Sequence, residues 1–341
     1  MSTSKDVARI AGVSRATVSN VINRTRYVSP QLARSVREAI AQLNYYTHGI
    51  ARSLVARKTY SIGIVVARLS SSFYPSLLSA IESTISRKGY SMILLDSHED
   101  EGVEKRNLRI LAEKRVDGVL WVPCSDKNVE SAQNLSRMDV PIIQVDRRIA
   151  DYELDSITSD NEAAGREAVR HFLRIGCSRI AVLTFCQQHS PARERLQGYL
   201  LALEEAGIEI NDEYVCIAEN PEYEDAEKKV VELLKKRPRV EAIFACSDTL
   251  TIAALAGIRR IGLRIPKDVK LLGFDDSPWC DFSDPPVSVI TQNTKDMGVI
   301  SSTLLLQKMS KKGAGDSFET VKIPTRLIKR RSCGEQVKAD K

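Results

Sequence analysis

Arginine and asparagine side chains carry the clearest chemical signal in the first 26 residues of this 341-residue chain. Arg15 offers a fork of donors that fits the O6 and N7 acceptors of guanine, and Asn20 matches the N6 and N7 edge of adenine. Two more arginines, Arg24 and Arg26, follow closely. On the polar face of a short helix, these side chains suit a recognition helix that lies in the major groove of DNA.

Cap and turn residues predict the helices that would present these side chains. Thr3 is a suitable cap for a first helix, and Asp6, three residues later, faces the positive end of that helix. Gly12 ends the first helix, and Ser14 caps a second one. Two helices of this length cannot bury an apolar stripe by themselves, so a third helix is required.

A third helix is predicted to begin at Ser29 and Pro30, a cap residue followed by proline at the first helical position. Its apolar residues recur at spacings of four, four and three, which places them on one face. Together the three helices would form a miniature core from Val7, Ile10, Val18, Ile22, Leu32, Val36, Ile40 and Leu43. This predicts a helix-turn-helix head over residues 1–46.

Charge separates the head from the rest of the chain. Residues 1–60 hold ten Lys and Arg against two acidic residues, a net charge of +8. The whole chain carries +6, so residues 61–341 carry −2. A positive excess confined to the first sixth of the chain indicates a polyanion as the partner of the head alone.

The remaining residues, 61–341, alternate strand-like and helix-like segments. The continuous apolar run at residues 62–66 is typical of a parallel strand that is buried on both faces. Repeated strand–helix units predict an α/β core of two lobes, each built on a doubly wound parallel sheet. The break between the two sets of units is expected near Arg148–Ser159.

Other features exclude several classes of protein. Seven scattered cysteines without a Cys-x-x-Cys pair argue against a disulfide framework or a zinc site. No Gly-x-Gly-x-x-Gly or Walker loop occurs and no catalytic set can be assembled, so we expect neither an enzyme nor a cofactor or metal. The polar start and the absence of a membrane-spanning stretch predict a cytoplasmic protein without a membrane partner.

Residues 3–57 resemble the head of the lac repressor/gal repressor family of bacterial transcription regulators. The resemblance rests on Lys-Asp-Val-Ala, Ala-Gly-Val-Ser, Thr-Val-Ser-Asn-Val-Ile-Asn and Ala-Arg-Ser-Leu (51–54), and residues 21–28 are most similar to the purine-repressor branch. It continues over essentially the full length. It implies the type I periplasmic-binding-protein architecture, with a ligand cleft between the lobes and chain crossings near residues 150–160, 290 and 320.

The resemblance also assigns roles in DNA binding. Base-edge contacts are implied for Arg15, Ala16 and Asn20. Phosphate contacts are implied for Ser14, Thr17 and Ser19, and we add Arg26 to the predicted DNA-binding residues.

Residues 47–60 are predicted to form a hinge whose short helix is too short to be stable alone in water. In the family this segment becomes helical when two subunits pair over DNA. Leu54, flanked by Arg52, occupies the position of the family's minor-groove wedge. The alternative is an ordinary leucine in a linker.

Nine residues are predicted to bind a small-molecule effector in the cleft. The resemblance places Arg195, in Arg-Leu-Gln-Gly-Tyr, at the arginine that usually anchors the ligand, and Asp275, in Gly-Phe-Asp-Asp, in a loop of the second lobe. These two are the strongest candidates, because a hydroxyl-rich ligand needs a fork-shaped donor and a fixed acceptor; a structural ion pair between them is the alternative. Phe73 and Tyr74 would stack on the ligand or belong to the core. The other candidates, placed by family motifs such as Asp146-Arg147 and Ser-Asp-Asn, are Arg147, Asp160, Tyr223, Ser247 and Asp248.

The sequence does not decide the charge of the ligand. Arg68 stands where relatives that bind neutral sugars often carry an acid, so it either pairs with a sugar acid or sugar phosphate or points to solvent. A sugar, a sugar acid and a nucleobase-like effector are all compatible with these residues.

These observations predict an effector-gated transcription regulator, a repressor that binds a palindromic DNA operator as a homodimer. Residues 325–341 lack a sustained apolar heptad, so we expect a dimer and not a zipper-linked tetramer. The alternative is a periplasmic-type solute-binding protein, which the basic head and the missing signal peptide disfavour.

Overall fold

The structure is a computed structural model, and it describes residues 2–23, 26–45, 58–219, 223–310 and 318–334. The chain divides into two compact units, residues 1–59 and 60–341. The predicted hinge helix, with Arg52 and Leu54, and Arg24 lie outside the described residues.

The first unit contains three helices, as the sequence predicts: α1 (Ser4–Ile10), α2 (Arg15–Asn23) and α3 (Pro30–Gln42). A reciprocal capping box begins α1, since the Thr3 hydroxyl accepts from the Asp6 N–H and the Asp6 carboxylate accepts from the Thr3 N–H. The Ser14 hydroxyl accepts from the Thr17 N–H at 3.1 Å and caps α2. Ser29 precedes α3, but its side chain makes no capping hydrogen bond.

The core of this unit is smaller than predicted. Val7, Val18 and Val36 are fully buried, whereas Ile10 and Leu32 are 42% and 43% exposed, so their assignment to the core was wrong. Alanines occupy the remaining interior positions, namely Ala8, Ala33 and Ala39. Three short helices enclose too little volume for every large side chain of their apolar stripes.

The second unit confirms the predicted α/β class, with two six-stranded sheets in the orders β11-β5-β4-β3-β1-β2 and β12-β10-β9-β8-β6-β7. The first lobe begins with β1 (Ser61–Val66), α4 (Tyr74–Ser86), β2 (Ser91–Asp96), α5 (Glu101–Lys114), β3 (Gly118–Trp121), α6 (Val129–Ser136), β4 (Ile142–Val145) and β5 (Asp155–Ser159). The second lobe comprises α7 (Asn161–Arg174), β6 (Ile180–Phe185), α8 (Ser190–Glu205), β7 (Val215–Ala218), α9 (Tyr223–Lys235), β8 (Ala242–Ala245), α10 (Asp248–Arg260), β9 (Lys270–Phe274), α11 (Trp279–Phe282) and β10 (Ser288–Thr291). The chain ends with α12 (Thr294–Ser310) and β11 (Thr320–Ile323) in the first lobe and β12 (Arg326–Ile328) in the second.

The chain passes between the lobes three times, after β5, after β10 and between β11 and β12. The first crossing lies at Asp160, within the range 150–160 expected for it and directly after the stretch Arg148–Ser159 where the break was expected. β5 fills residues 155–159 and pairs in parallel with β4 and β11. Its sequence, Asp-Ser-Ile-Thr-Ser, has only one apolar residue. The polar side chains of β5 form hydrogen bonds, as Ser156 Oγ does with Thr320 Oγ1 at 3.1 Å.

Parallel pairing directs the carboxyl ends of the strands of each lobe toward one edge. All described pairings are parallel except that of β10 with β12. Strand β1 shows why the strands are continuous apolar runs in the sequence. Ile62 and Ile64 pack into one core cluster of the first lobe and Val65 into another, so both faces of the strand are buried. Within the described ranges, no helix has the length and apolar character needed to cross a membrane.

Candidate ligand cavity and DNA-binding face

A cavity of about 310 Å³ lies between the two lobes at the carboxyl ends of the parallel strands. Residues after β1, β2 and β4 line it from the first lobe, and residues after β6, β7, β8, β9 and β10 line it from the second. Open α/β sheets bind ligands at this edge because the loops there converge while the strands behind them stay rigid.

Arg195 on α8 projects a fixed guanidinium into this cavity. Its Nε donates to Asn161 Oδ1 at 2.8 Å, and its Nη1 donates to the Cys246 carbonyl at 2.7 Å. Its Cζ lies 3.5 Å from the centroid of the Phe274 ring, a cation–π contact. Burial lowers the pKa of Arg195, although the nearby carboxylates of Asp275 and Asp146 act in the opposite direction.

Two glycines allow α8 to approach α7 closely enough to hold Arg195 there. A Cβ on Gly165 would overlap the backbone carbonyl of Arg195, and a Cβ on Gly198 would overlap that of Glu162. Neither neighbour can move away cheaply, because both are backbone atoms of packed helices. The glycines therefore set the depth at which the arginine enters the cavity.

Asp146 and Asp275 supply acceptors on opposite lobes. Gln292 Nε2 donates to Asp275 Oδ1 at 2.8 Å, whereas Asp146 Oδ1 is buried and has no hydrogen-bond partner among the described residues. Burial raises the pKa of Asp146 to about 6, and the charges of Arg147 and Arg195 limit that rise. Desolvation also raises the pKa of Asp275.

Arg147 is held by Glu99 in a two-pronged ion pair. Its Nη1 and Nη2 each donate to one oxygen of the Glu99 carboxylate at 2.7 Å. Burial disfavours both charges, but their mutual attraction raises the pKa of Arg147 and lowers that of Glu99. His189 Nε2 lies 3.8 Å from the Glu99 carboxylate, and burial together with the Arg147 charge lowers the pKa of His189 to about 4.

Asp248 connects the lobes at the edge of the cavity. Its Oδ2 accepts from the Ser72 hydroxyl of the first lobe at 2.7 Å. Its Oδ1 accepts from Ser277 Oγ and from Trp279 Nε1, both at 3.1 Å and both within the second lobe. A residue that lines the cavity thus also forms a contact between the lobes.

Seven of the nine predicted effector-binding residues line this cavity: Phe73, Tyr74, Arg147, Arg195, Ser247, Asp248 and Asp275. Asp160 does not line it; its carboxylate caps α7 by accepting from the Ala163 N–H at 3.2 Å. Tyr223 begins α9 and packs against the core of the second lobe.

Sequence reasoning left out several lining residues, notably Glu99, His189, Glu219 and Gln292. A positional signal existed for three of them, because Glu99, Glu219 and Gln292 stand within three residues of the end of a strand. Polar residues at the carboxyl ends of parallel strands face the edge where ligands bind, which makes them candidates for ligand contacts.

The predicted DNA-binding side chains lie on and next to α2. Ser14, Arg15, Ala16, Ser19 and Arg26 are exposed, and Thr17 and Asn20 are half-buried. The hydroxyls of Ser14 and Thr17 lie 3.0 Å apart at the start of the helix. The opposite face of α2 is anchored by the buried Val18, so the polar face is turned toward solvent.

A helix-turn-helix unit and a two-lobed domain with a polar cavity define a ligand-responsive transcription regulator. Two protein-family models match the sequence. The family of bacterial regulatory proteins, lacI family, matches residues 3–48. The family of periplasmic binding proteins and sugar binding domain of LacI family matches residues 59–331. The chain belongs to the LacI family, as the sequence motifs predict. This favours a transcription regulator over a solute-binding protein or an enzyme.

Individual relatives agree over nearly the full length. The chain is 31% identical to the ribose operon repressor of Haemophilus influenzae, covering 97% of this chain and 98% of that one. It is 33% identical to the HTH-type transcriptional repressor PurR of Vibrio vulnificus, covering 92% and 93%.

Solved structures show the same similarity. The lac repressor dimer bound to operator and the anti-inducer ONPF has a TM-score of 0.85 at 25% identity, covering 97% of this chain and 99% of that one. The transcriptional regulator CelR in complex with cellobiose has a TM-score of 0.74 at 30% identity, covering 97% and 100%.

Proposed function

We propose that this protein represses transcription by binding a palindromic operator as a homodimer, and that a small carbohydrate-derived effector in the interlobe cavity changes its affinity for that operator. The exposed face of α2, with Arg15 and Asn20 at its centre, would read the bases. Leu54 of the hinge would enter the minor groove at the operator centre. Because its operator lies on bacterial DNA, the protein would act in the cytoplasm.

The observation that carries this proposal is the double role of Asp248, which lines the cavity and bonds to Ser72 across the lobes. A ligand held by Arg195 and Asp275 on one lobe and by Asp146 and Arg147 on the other would favour one angle between the lobes. Only a ligand with different affinities for two arrangements can shift the equilibrium between them. In a cavity lined by both lobes, the contacts of the ligand depend on the angle between the lobes, so its affinity would differ between the two arrangements.

The class of effector is supported by the relatives and by the size of the cavity. One of the similar proteins is named for the ribose operon and another is in complex with cellobiose, and ribose and cellobiose are both sugars. A volume of about 310 Å³ lies at the lower end of the range for small-molecule sites. This size favours a monosaccharide over a disaccharide in the present chain.

Symmetry supports the dimer. A single head is a small interface, and two heads related by a twofold axis match a palindromic site. We propose a dimer formed through the lobes; sedimentation of the free protein as a stable tetramer would contradict it.

The experiment that tests the proposal selects operator sequences from random duplex DNA with the full-length protein, then measures affinity by fluorescence anisotropy with and without sugars. We expect a palindromic consensus and an effector that changes the affinity by about 5- to 150-fold. DNA must then change the affinity for the effector by the same factor. Selection that yields no consensus, or an operator affinity that no small molecule alters, would contradict the proposed function.

A further inference from the structure

The balance of charge in the cavity distinguishes among the sugar-like ligands that its shape admits. Three arginines line it, and five carboxylates oppose them, which gives a net charge of −2. The arginines are Arg68, Arg147 and Arg195, and the carboxylates belong to Glu99, Asp146, Glu219, Asp248 and Asp275. His189 adds no charge near neutral pH, since burial lowers its pKa to about 4.

Two of the three arginines are already compensated. The fork of Arg147 is filled by both oxygens of Glu99, and Arg195 lies in the field of Asp275 and Asp146. An anionic ligand would have to compete with carboxylates that are fixed in place. In a site of low dielectric, bringing like charges together strongly disfavours binding.

Arg68 is the one lining arginine whose side chain forms no hydrogen bond or ion pair within the described ranges, so it is the obvious candidate to attract an anion. Its charge nevertheless acts on Glu99, where it helps to lower the pKa of that carboxyl. Glu99 therefore opposes two arginines of the first lobe at once, Arg147 by contact and Arg68 through space.

The backbone around Glu99 is built to hold this carboxylate in the cavity. His98 and Glu99 both adopt left-handed φ values, 52° and 58°, although neither is glycine. Asp96 fixes the loop by accepting from the N–H groups of His98 and Leu69, both at 3.0 Å, and the Glu99 N–H donates to the Ala67 carbonyl at 2.7 Å. Strained residues of this kind persist where the surroundings over-determine them, often at ligand sites.

Apolar and acceptor groups complete the site. Phe73 and Tyr74 are in edge-on contact, with ring centroids 5.3 Å apart, and offer an apolar wall. Asp146 presents a buried oxygen with no partner among the described residues. Carboxylates accept hydrogen bonds from hydroxyl groups and cannot donate when ionised, so the lining suits a ligand rich in donors.

From these observations we infer that the cavity rejects anions and takes a neutral polyhydroxylated monosaccharide, and that Glu99 is the residue that sets this selectivity. The inference rests on the proposed function only in placing the effector in this cavity. Under this inference Arg68 does not recruit an anion, and the ligand is uncharged.

The test is titration calorimetry on the full-length protein with common aldoses and ketoses, each paired with its phosphate ester, and with inorganic phosphate. We expect at least one neutral sugar to bind about 100-fold or more tightly than its phosphate. Glu99→Gln should raise the affinity for phosphate and for sugar phosphates by about tenfold, because it frees the fork of Arg147. Glu99→Ala provides a second variant, and Glu113→Gln, which removes an exposed carboxylate on α5, is the matched control.

Two results would overturn the inference: wild-type protein that binds a sugar phosphate as tightly as its parent sugar, or Glu99 variants that gain no more affinity for anions than the Glu113 control. If the Glu99 variants capture phosphate but no neutral sugar binds to the wild type, the assignment of a monosaccharide is wrong. If neutral sugars bind selectively but leave operator affinity unchanged, the proposed function fails and the charge selectivity stands.

Discussion

Asp146 and Asp275 occupy equivalent positions in the two lobes, and both carboxylates act on the charge of Arg195. Each directly follows a parallel strand, and each has a φ of 67°. The N–H of Asp146 donates to the Ile157 carbonyl at 2.8 Å, and that of Asp275 donates to the Ile290 carbonyl at 2.9 Å. The two lobes thus present the same turn to the cavity. The turns differ in one respect, since Gln292 binds Asp275 while Asp146 Oδ1 has no described partner.

This difference leads to a prediction about the dependence of stability on pH. The pKa of Asp146 rises from 3.8 to about 6 on burial, so the folded state binds more protons than the unfolded state between these values. Its contribution to stability is fully present below pH 3.8 and is lost as the pH rises through 6. The difference between these two pKa values corresponds to a free energy of unfolding of about 3 kcal/mol at most. Asp146→Asn should remove this loss, so that the variant gains stability over wild type as the pH increases from 4 to 7.

The contribution of His189 to stability has the opposite dependence on pH, in nearly the same pH range. Its pKa falls from 6.5 to about 4, so the unfolded state binds more protons there and stability declines as the pH falls below 6.5. Denaturant unfolding from pH 4 to 7 should show that His189→Gln becomes more stable than wild type at the acidic end. The wild-type profile alone is not diagnostic, because the two contributions partly cancel. Parallel profiles for wild type and either variant would contradict the assigned shift.

The hydrogen bond between Ser72 and Asp248 gives a prediction about the closure of the lobes. Ser72→Ala removes a 2.7 Å bond that joins the lobes, whereas Ser277→Ala removes a 3.1 Å bond to the same carboxylate from within one lobe. We expect Ser72→Ala to weaken effector binding by about fivefold, since an exposed bond of this kind contributes about 1 kcal/mol.

Ser277→Ala serves as the control and should leave effector affinity within about twofold of wild type, by the same conversion of energy to affinity. Small-angle scattering of the ligand-free protein should show a larger radius of gyration for Ser72→Ala only. Equal effects of the two substitutions would mean that Asp248 acts through the second lobe alone.

The sequence predicted most of the fold because the parallel strands are apolar on both faces. The apolar run expected to be a strand at residues 62–66 lies within β1, and the third helix begins at Pro30 as expected, but β5 and α6 were not predicted. The exceptions lack that signal. β5 carries one apolar residue among five, and α6 is a single short helix of eight residues, so neither produces a clear period.

The site was predictable only in part, for a related reason. Arg195 and Asp275 belong to sequence motifs that identify them without a structure. Glu99 has no such motif; its role depends on a left-handed loop and on an arginine 48 residues away along the chain. Asp160 was predicted to bind the ligand, but its carboxylate caps α7. An aspartate that precedes a helix fits either role in the sequence.

The exposed face of α2 leads to a prediction about DNA recognition. Arg15→Ala should cost about 1–3 kcal/mol on the selected operator and relax the preference at one base pair, with little effect on non-specific DNA. Lys5→Ala, which removes an exposed charge from α1, should weaken binding to all sequences alike and reduce the salt dependence. Anisotropy titrations at several salt concentrations distinguish the two. Uniform loss across sequences for Arg15→Ala would assign that side chain to the phosphate backbone.

Arg195 gives the last prediction, because its charge and its geometry can be separated. Arg195→Ala leaves Asp146 and Asp275 buried without their shared cation and should destabilise the second unit by about 3–5 kcal/mol. Arg195→Lys keeps the charge but cannot reach Asn161 and the Cys246 carbonyl with the same fork, so it should lose much less stability. Both variants should lose effector binding, by at least about tenfold for Arg195→Lys. Thermal unfolding and calorimetry with the effector measure the two effects independently. If Arg195→Lys binds the effector like wild type, the arginine serves as a structural counter-ion for the two aspartates and does not contact the ligand.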